Sequence, residues 1–131
     1  MSEINSETGI PFISAGFPSP VEDYREHSIS LDKYIIQNPA ATFMAYANGN
    51  SMERVGIYHR DILIIDRSLS ARNGDVIIAL INGEFMVKQI SIIDGHLFFI
   101  PGDMKYAPVK ITSEMGFEVW GVVAFSIRNH R

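Results

Sequence analysis

The chain contains no cysteine, which removes disulfides, thiolate nucleophiles and cysteine-ligated zinc or iron–sulfur sites together. It lacks any run of the roughly 18 apolar residues that a membrane-spanning helix requires. Its start, Met1-Ser2-Glu3-Ile4-Asn5, has neither the basic nor the apolar region of a signal peptide. The expected address is the cytoplasm, with no membrane partner. Charge is sparse and slightly acidic: 11 Lys+Arg against 15 Asp+Glu give a formal charge of −4. That balance argues against DNA as the main partner, so no direct specific DNA binding is expected. Neither an HExxH motif nor a histidine pair at helical spacing occurs, so no metal and no other cofactor is expected.

What is present suits one globular body. A chain of 131 residues with 47% hydrophobic residues can bury a real core. Composition separates three zones. Residues 1–20 form an arm whose second half, Ile10-Pro11-Phe12-Ile13-Ser14-Ala15-Gly16-Phe17-Pro18-Ser19-Pro20, carries three prolines. Each proline biases its predecessor away from the helix, so the arm is expected to be extended. Residues 21–40 connect it to the rest and hold one short helix, with Ser30 as cap, Leu31, Tyr34 and Ile35 at helical spacing, and Pro39 as stop.

Residues 41–131 read as strands: Thr42–Ala47, Ile62–Asp66, Asp75–Ile81, Glu84–Ile93, His96–Ile100 and Phe117–Ile127. Asn82-Gly83 and Asp94-Gly95 each join two of them. Both residues of such a pair tolerate positive φ, which a two-residue type I′ hairpin demands. A three-strand meander from Val76 to Ile100 follows, and the fold class is mostly β.

Two residues in this zone invite chemistry. Period two places Met86, Lys88, Ile90 and Ile92 on one face of their strand and Phe85, Val87, Gln89 and Ser91 on the other. Lys88 therefore stands on an apolar face expected to pack inward. Its stem either lies on the core with the ammonium reaching water, or the amine is desolvated and its charged form disfavoured, leaving a base near pH 7. Periodicity does not choose. Ser51 lies in Ala47-Asn48-Gly49-Asn50-Ser51-Met52, a tight turn after a strand. An exposed serine near backbone N–H groups suits a nucleophile, and the same residues suit any surface turn. His59 with Asp61 or Asp66 offers a Ser/His/Asp alternative, but their spacing does not select it, and His59 reads as a solvated turn residue. His27, His96 and His130 suggest no ligand set.

Taken together, Gly49-Asn50-Ser51-Met52, Gly56-Ile57, Asp61-Ile62-Leu63-Ile64-Ile65-Asp66, Gly74-Asp75-Val76 and Gly83-Glu84-Phe85-Met86-Val87-Lys88 resemble the LexA/UmuD family of serine–lysine self-cleaving proteins. The 37-residue separation of Ser51 and Lys88 matches as well. Ala15-Gly16-Phe17-Pro18-Ser19-Pro20 resembles the cleavage segment of the UmuD branch. So does the ending, Ile100-Pro101, Tyr106-Ala107-Pro108 and Val119-Trp120-Gly121-Val122-Val123. The resemblance runs from about Gly16 to Val123. This sequence departs from the family at Asn50, where Asp is usual, at Arg60, where Gly is usual, and at Asp103, where Asn is usual.

The resemblance implies a curved, signal-peptidase-like β-sheet domain with an extended N-terminal arm and at most one or two short helices. It implies that Lys88 is the general base for the nucleophile Ser51, and that the Ala15-Gly16 bond is cut. Backbone N–H groups of Asn50 and Ser51 would hold the oxyanion. It implies a homodimer, stimulation by a RecA filament on single-stranded DNA, and a processed form serving a UmuC-like Y-family translesion polymerase in the SOS response. A non-proteolytic binding module of the same fold is the alternative. A signal peptidase would need a membrane anchor, and a repressor a DNA-binding domain, neither of which is legible.

Overall fold

A computed structural model describes residues 8–18 and 30–131. The chain divides into two units, Met1–Ile35 and Ile36–Arg131. In the first, residues 8–18 contain no helix, as the prolines require, but residues 15–17 bend, so the arm is not extended throughout. Ser19, Pro20 and His27 lie outside the described residues. Ser30 caps α1 (Leu31–Ile35): its Oγ accepts the Lys33 N–H at 3.4 Å and its carbonyl the Tyr34 N–H at 3.3 Å. The helix ends before Pro39, at Ile35. Pro39 opens a separate 3-10 turn, Pro39–Ala41, a first-turn position where its missing N–H costs nothing.

The second unit is a single antiparallel sheet. Its strands are β1 (Thr42–Tyr46), β2 (Ile62–Asp66), β3 (Val76–Ile81), β4 (Glu84–Ile93), β5 (His96–Ile100), β6 (Val109–Lys110) and β7 (Phe117–Ile127). The spatial order is β1-β2-β7-β3-β4-β5-β6. The expected meander is β3-β4-β5. Its turns have φ of 49° and 82° at Asn82 and Gly83, and 50° and 77° at Asp94 and Gly95, the signs that type I′ geometry needs. Only β6 was not legible. Two residues after Pro108 are too short for an alternation to show.

The last strand sets the curvature. β7 lies between β2 and β3, and its register slips twice, so that Trp120 and Ala124 have no cross-strand partner. Such bulges strengthen twist and re-aim side chains. Alternation then splits the core in two. Leu63, Ile65 and Ile78 pack with Ala47, Met52 and Ile57 on one face. Ile77, Ala79, Ile90, Phe99 and Val122 pack on the other. Each cluster removes several apolar side chains from water, and a fully buried Leu or Ile contributes about 1.5–3 kcal/mol.

Candidate active site

The β4 strand places Lys88. Its cross-strand partner is Ile77, two positions along the strand is Ile90, and both are 0% exposed. The Lys88 ammonium lies 5.8 Å from the centre of the Phe99 ring. The expected apolar face is therefore real, but only its middle is enclosed. Ile90 is buried, Lys88 is half-buried, and Met86 and Ile92 at the ends are exposed. The reason lies in the pairing. β5 covers only Gln89–Ile93 of β4, so Lys88 is the last residue before that shelter begins. Along Glu84–Lys88 the unit supplies a neighbouring strand on one side alone.

The turn after β1 places Ser51, and several contacts hold it. Arg60 N–H donates to the Ala47 carbonyl at 2.7 Å, and Ala47 N–H to the Asp61 carbonyl at 2.8 Å, closing the base of the loop. Gly49, at φ 109°, donates its N–H to His59 Nδ1 at 2.9 Å. Met52 is buried in the first cluster, and its carbonyl accepts the Val55 and Ile57 N–H groups. The short turn Glu53–Val55 then carries Arg54, whose guanidinium donates to Gln89 Oε1, next to Lys88. Gln89 Nε2 in turn donates to the Gly74 carbonyl at 3.1 Å. Behind the turn lies Gly102, where an added Cβ would overlap the Ser51 carbonyl oxygen. Among the described residues the N–H groups of Asn50 and Ser51 have no hydrogen-bond partner.

Ser51 and Lys88 line one cavity of about 570 Å³. Its walls are Phe43–Tyr46 of β1 on one side and Phe85–Val87 of β4 on the other, with Leu63, Ile65 and Ile78 behind. Trp120, turned out by its bulge, closes it: the Phe43 and Phe85 ring centres lie 5.2 and 5.1 Å from the indole. Arg67 stacks on the indole at 4.3 Å and donates to the Trp120 carbonyl at 2.8 Å. β1 is a sheet edge and β5 leaves Glu84–Lys88 of β4 uncovered, so two strand edges of this unit flank an apolar trough. An amine, a hydroxyl and a strand-shaped slot share the lining of one cavity.

The Ser/His/Asp alternative does not assemble. Asp61, 2% exposed, accepts from Arg128 at 2.9 and 3.0 Å and from the Tyr58 N–H at 2.8 Å. The Arg128 hydrogen bond, then the Tyr58 N–H, hold its carboxyl below the ordinary 3.8. Asp66 accepts from Ser68 and Asn38, which lower its carboxyl likewise. Both carboxylates are structural. His59 is not simply solvated either, since its Nδ1 is taken by Gly49. Among the described residues no group of three or more His, Asp or Glu is placed to hold a metal, and no helix is long and apolar enough to cross a membrane.

A family model described as Peptidase S24-like matches residues 9–124. The chain belongs to that family. Its members are serine–lysine self-cleaving peptidases, in keeping with the resemblance of the motifs and with the antiparallel sheet. Among curated relatives, Protein MucA of Salmonella typhimurium is 36% identical over 126 residues, which span 92% of this chain and 86% of the relative. Protein SamA of Salmonella typhimurium is 36% identical over 117 residues, 89% and 81% of the two chains. Protein ImpA of Salmonella typhimurium reaches 47% over 76 residues, 58% and 52%.

Sequence reasoning missed what surrounds the pair. Gly102, the Arg54–Gln89 link, the His59 contact and the bulge at Trp120 leave no periodic signal. The one trace was Arg60, where the family's usual glycine is replaced. Arg60 sits at φ 71°, a left-handed conformation that glycine adopts without strain.

Proposed function

We propose that Ser51 and Lys88 are the catalytic dyad of this peptidase and that the substrate is the chain's own Ala15-Gly16 bond. The observation that carries the reading is their placement in one cavity walled by two strand edges. Lys88 Nζ takes the proton of Ser51 Oγ as general base. Oγ attacks the Ala15 carbonyl carbon, and the oxyanion is held by the N–H groups of Asn50 and Ser51, which have no other partner among the described residues. The C–N bond then breaks. Lys88 returns the proton to the Gly16 amine, and residues 1–15 remain as an ester on Ser51 until water releases them.

The shape of the trough explains the substrate. An extended segment can add to a sheet edge through its backbone while alternate side chains fill pockets. Small Ala15 and Gly16 pass a narrow site without a clash, and Phe12 and Ile13 are suitable anchors for an apolar wall. Cleavage is stimulated by a RecA filament on single-stranded DNA, which must bind the cleavable conformation better than the resting one. The processed chain works as a homodimer and as a subunit of a UmuC-like Y-family translesion polymerase. These partners rest on the LexA/UmuD resemblance.

Incubation of wild type, Ser51→Ala and Lys88→Ala with activated RecA filaments tests the reading by mass. Wild type yields a product beginning at Gly16, and each variant cleaves at least about a thousandfold more slowly. Equal survival of all three favours a binding module that does not cut.

A further inference from the structure

One of the contacts that hold the serine turn comes from a side chain that the dyad does not include. His59 follows Ser51 by eight residues in the loop that returns to β2, and its Nδ1 lies 2.9 Å from the Gly49 backbone nitrogen. A backbone N–H has only a proton to give, so this nitrogen of the ring must present a lone pair, and the imidazole is the neutral tautomer protonated at Nε2. Gly49 is two residues from the nucleophile. Its φ of 109° belongs to a region that side-chain-bearing residues avoid and that glycine enters without strain.

We propose that His59 is a positioning residue for Ser51: its neutral ring holds the nucleophile turn through Gly49, and protonation of that ring releases it. The inference rests on Ser51 being the nucleophile. An imidazolium has N–H on both nitrogens and accepts from neither, so the hold exists in one protonation state only. The other titratable and charged groups around the same groove are Tyr46 from β1, Arg60 and Asp61 from the loop itself, and Arg128 and Arg131 beyond β7. His130 acts on Asp61 through its charge. Among the described residues none of them is hydrogen-bonded to Gly49. Asp61 is engaged by Arg128 and the Tyr58 N–H, and the arginines only donate.

The loop's other bonds, among them Arg60 to Ala47, Ala47 to Asp61 and the Glu53 N–H to the Asn50 carbonyl at 3.3 Å, do not reach Gly49. Loss of the His59 contact therefore loosens the turn at Gly49, two residues before Ser51, while the rest of the loop stays tied. The expected consequence is a misplaced nucleophile in a folded protein.

The test uses the full chain as wild type, His59→Asn and His59→Ala. Asn offers a short side-chain oxygen as acceptor that does not titrate. Gly49 amide exchange by NMR, RecA-stimulated self-cleavage and thermal melting are followed from about pH 5 to 8. In wild type, Gly49 protection and cleavage fall together towards acid. His59→Asn keeps Gly49 protected across the range, cleaves near the wild-type rate at pH 8, and loses part of the acid limb. His59→Ala leaves Gly49 unprotected at every pH and cleaves roughly tenfold to a hundredfold more slowly, with its melting point little changed. Wild-type behaviour of His59→Ala overturns the inference, as does an unaltered pH profile in His59→Asn, which serves even where the alanine variant fails to fold. Cleavage at the wild-type rate by Ser51→Ala sinks the dyad reading, and this inference with it.

Discussion

The two halves of the candidate dyad are held in opposite ways. Lys88 stands on a ten-residue strand, β4, fixed by a ladder to β3 and by buried Ile77 and Ile90. Ser51 stands on a loop fixed by single contacts at Gly49, Arg54, Met52 and Gly102. A ladder shares its load among many bonds, and no one of them decides where the lysine points. A loop does not share. Removing one contact moves the serine and leaves the fold standing, so stability and activity should separate at the turn and travel together on the strand.

The largest expected contrast pairs Ile90→Ala with Gly102→Ala. Ile90 is fully buried, so its truncation costs about 2–5 kcal/mol and reduces cleavage mainly by unfolding the protein. Gly102→Ala forces the Ser51 carbonyl aside at about 1–3 kcal/mol, and slows cleavage by roughly a hundredfold while most molecules stay folded. Urea unfolding beside a cleavage time course reads both. Proportionate losses in the two variants would erase the distinction.

Acid probes the loop base next. Asp61 and Asp66 have folded-state carboxyls lowered from 3.8, chiefly by Arg128 in one case and Ser68 in the other. A lowered value means the contribution is present above the unfolded pKa and is lost as pH falls through the folded one. The urea midpoint should therefore hold above about pH 5 and drop below about pH 4. In Asp61→Asn the drop should be shallower, from a lower starting stability. A midpoint that rises in acid would contradict the assignment.

The smallest effect concerns Arg60. At φ 71° a residue with a Cβ is strained by about 1 kcal/mol, so Arg60→Gly should raise the melting temperature by a few degrees. Loss of the Arg60 contact with the Tyr46 ring, 5.7 Å to its centre, reduces that gain. A clear fall in melting temperature would show that the contact outweighs the strain.

The same division explains what could be read from the chain. Strand positions follow from alternation and from Asn82-Gly83 and Asp94-Gly95, because both signals are local. β2, β4, β5 and β7 have the expected bounds. Lys88 was legible as a cation on an apolar face for the same reason. Ser51 was visible only as a turn residue until the motifs were taken together. The approach of Gly102 to Ser51, across 51 positions of sequence, depends on how far the sheet curls. That curl comes from two bulges in β7, and no local pattern announces a bulge.

The most direct measurement maps a fluorophosphonate adduct by mass spectrometry in wild type and Lys88→Ala. If Lys88 arms the Ser51 hydroxyl in the cavity they share, wild type is labelled at Ser51 and the variant, folded by circular dichroism, is not. Label on another serine, or equal labelling of Ser51 in both proteins, would contradict the account.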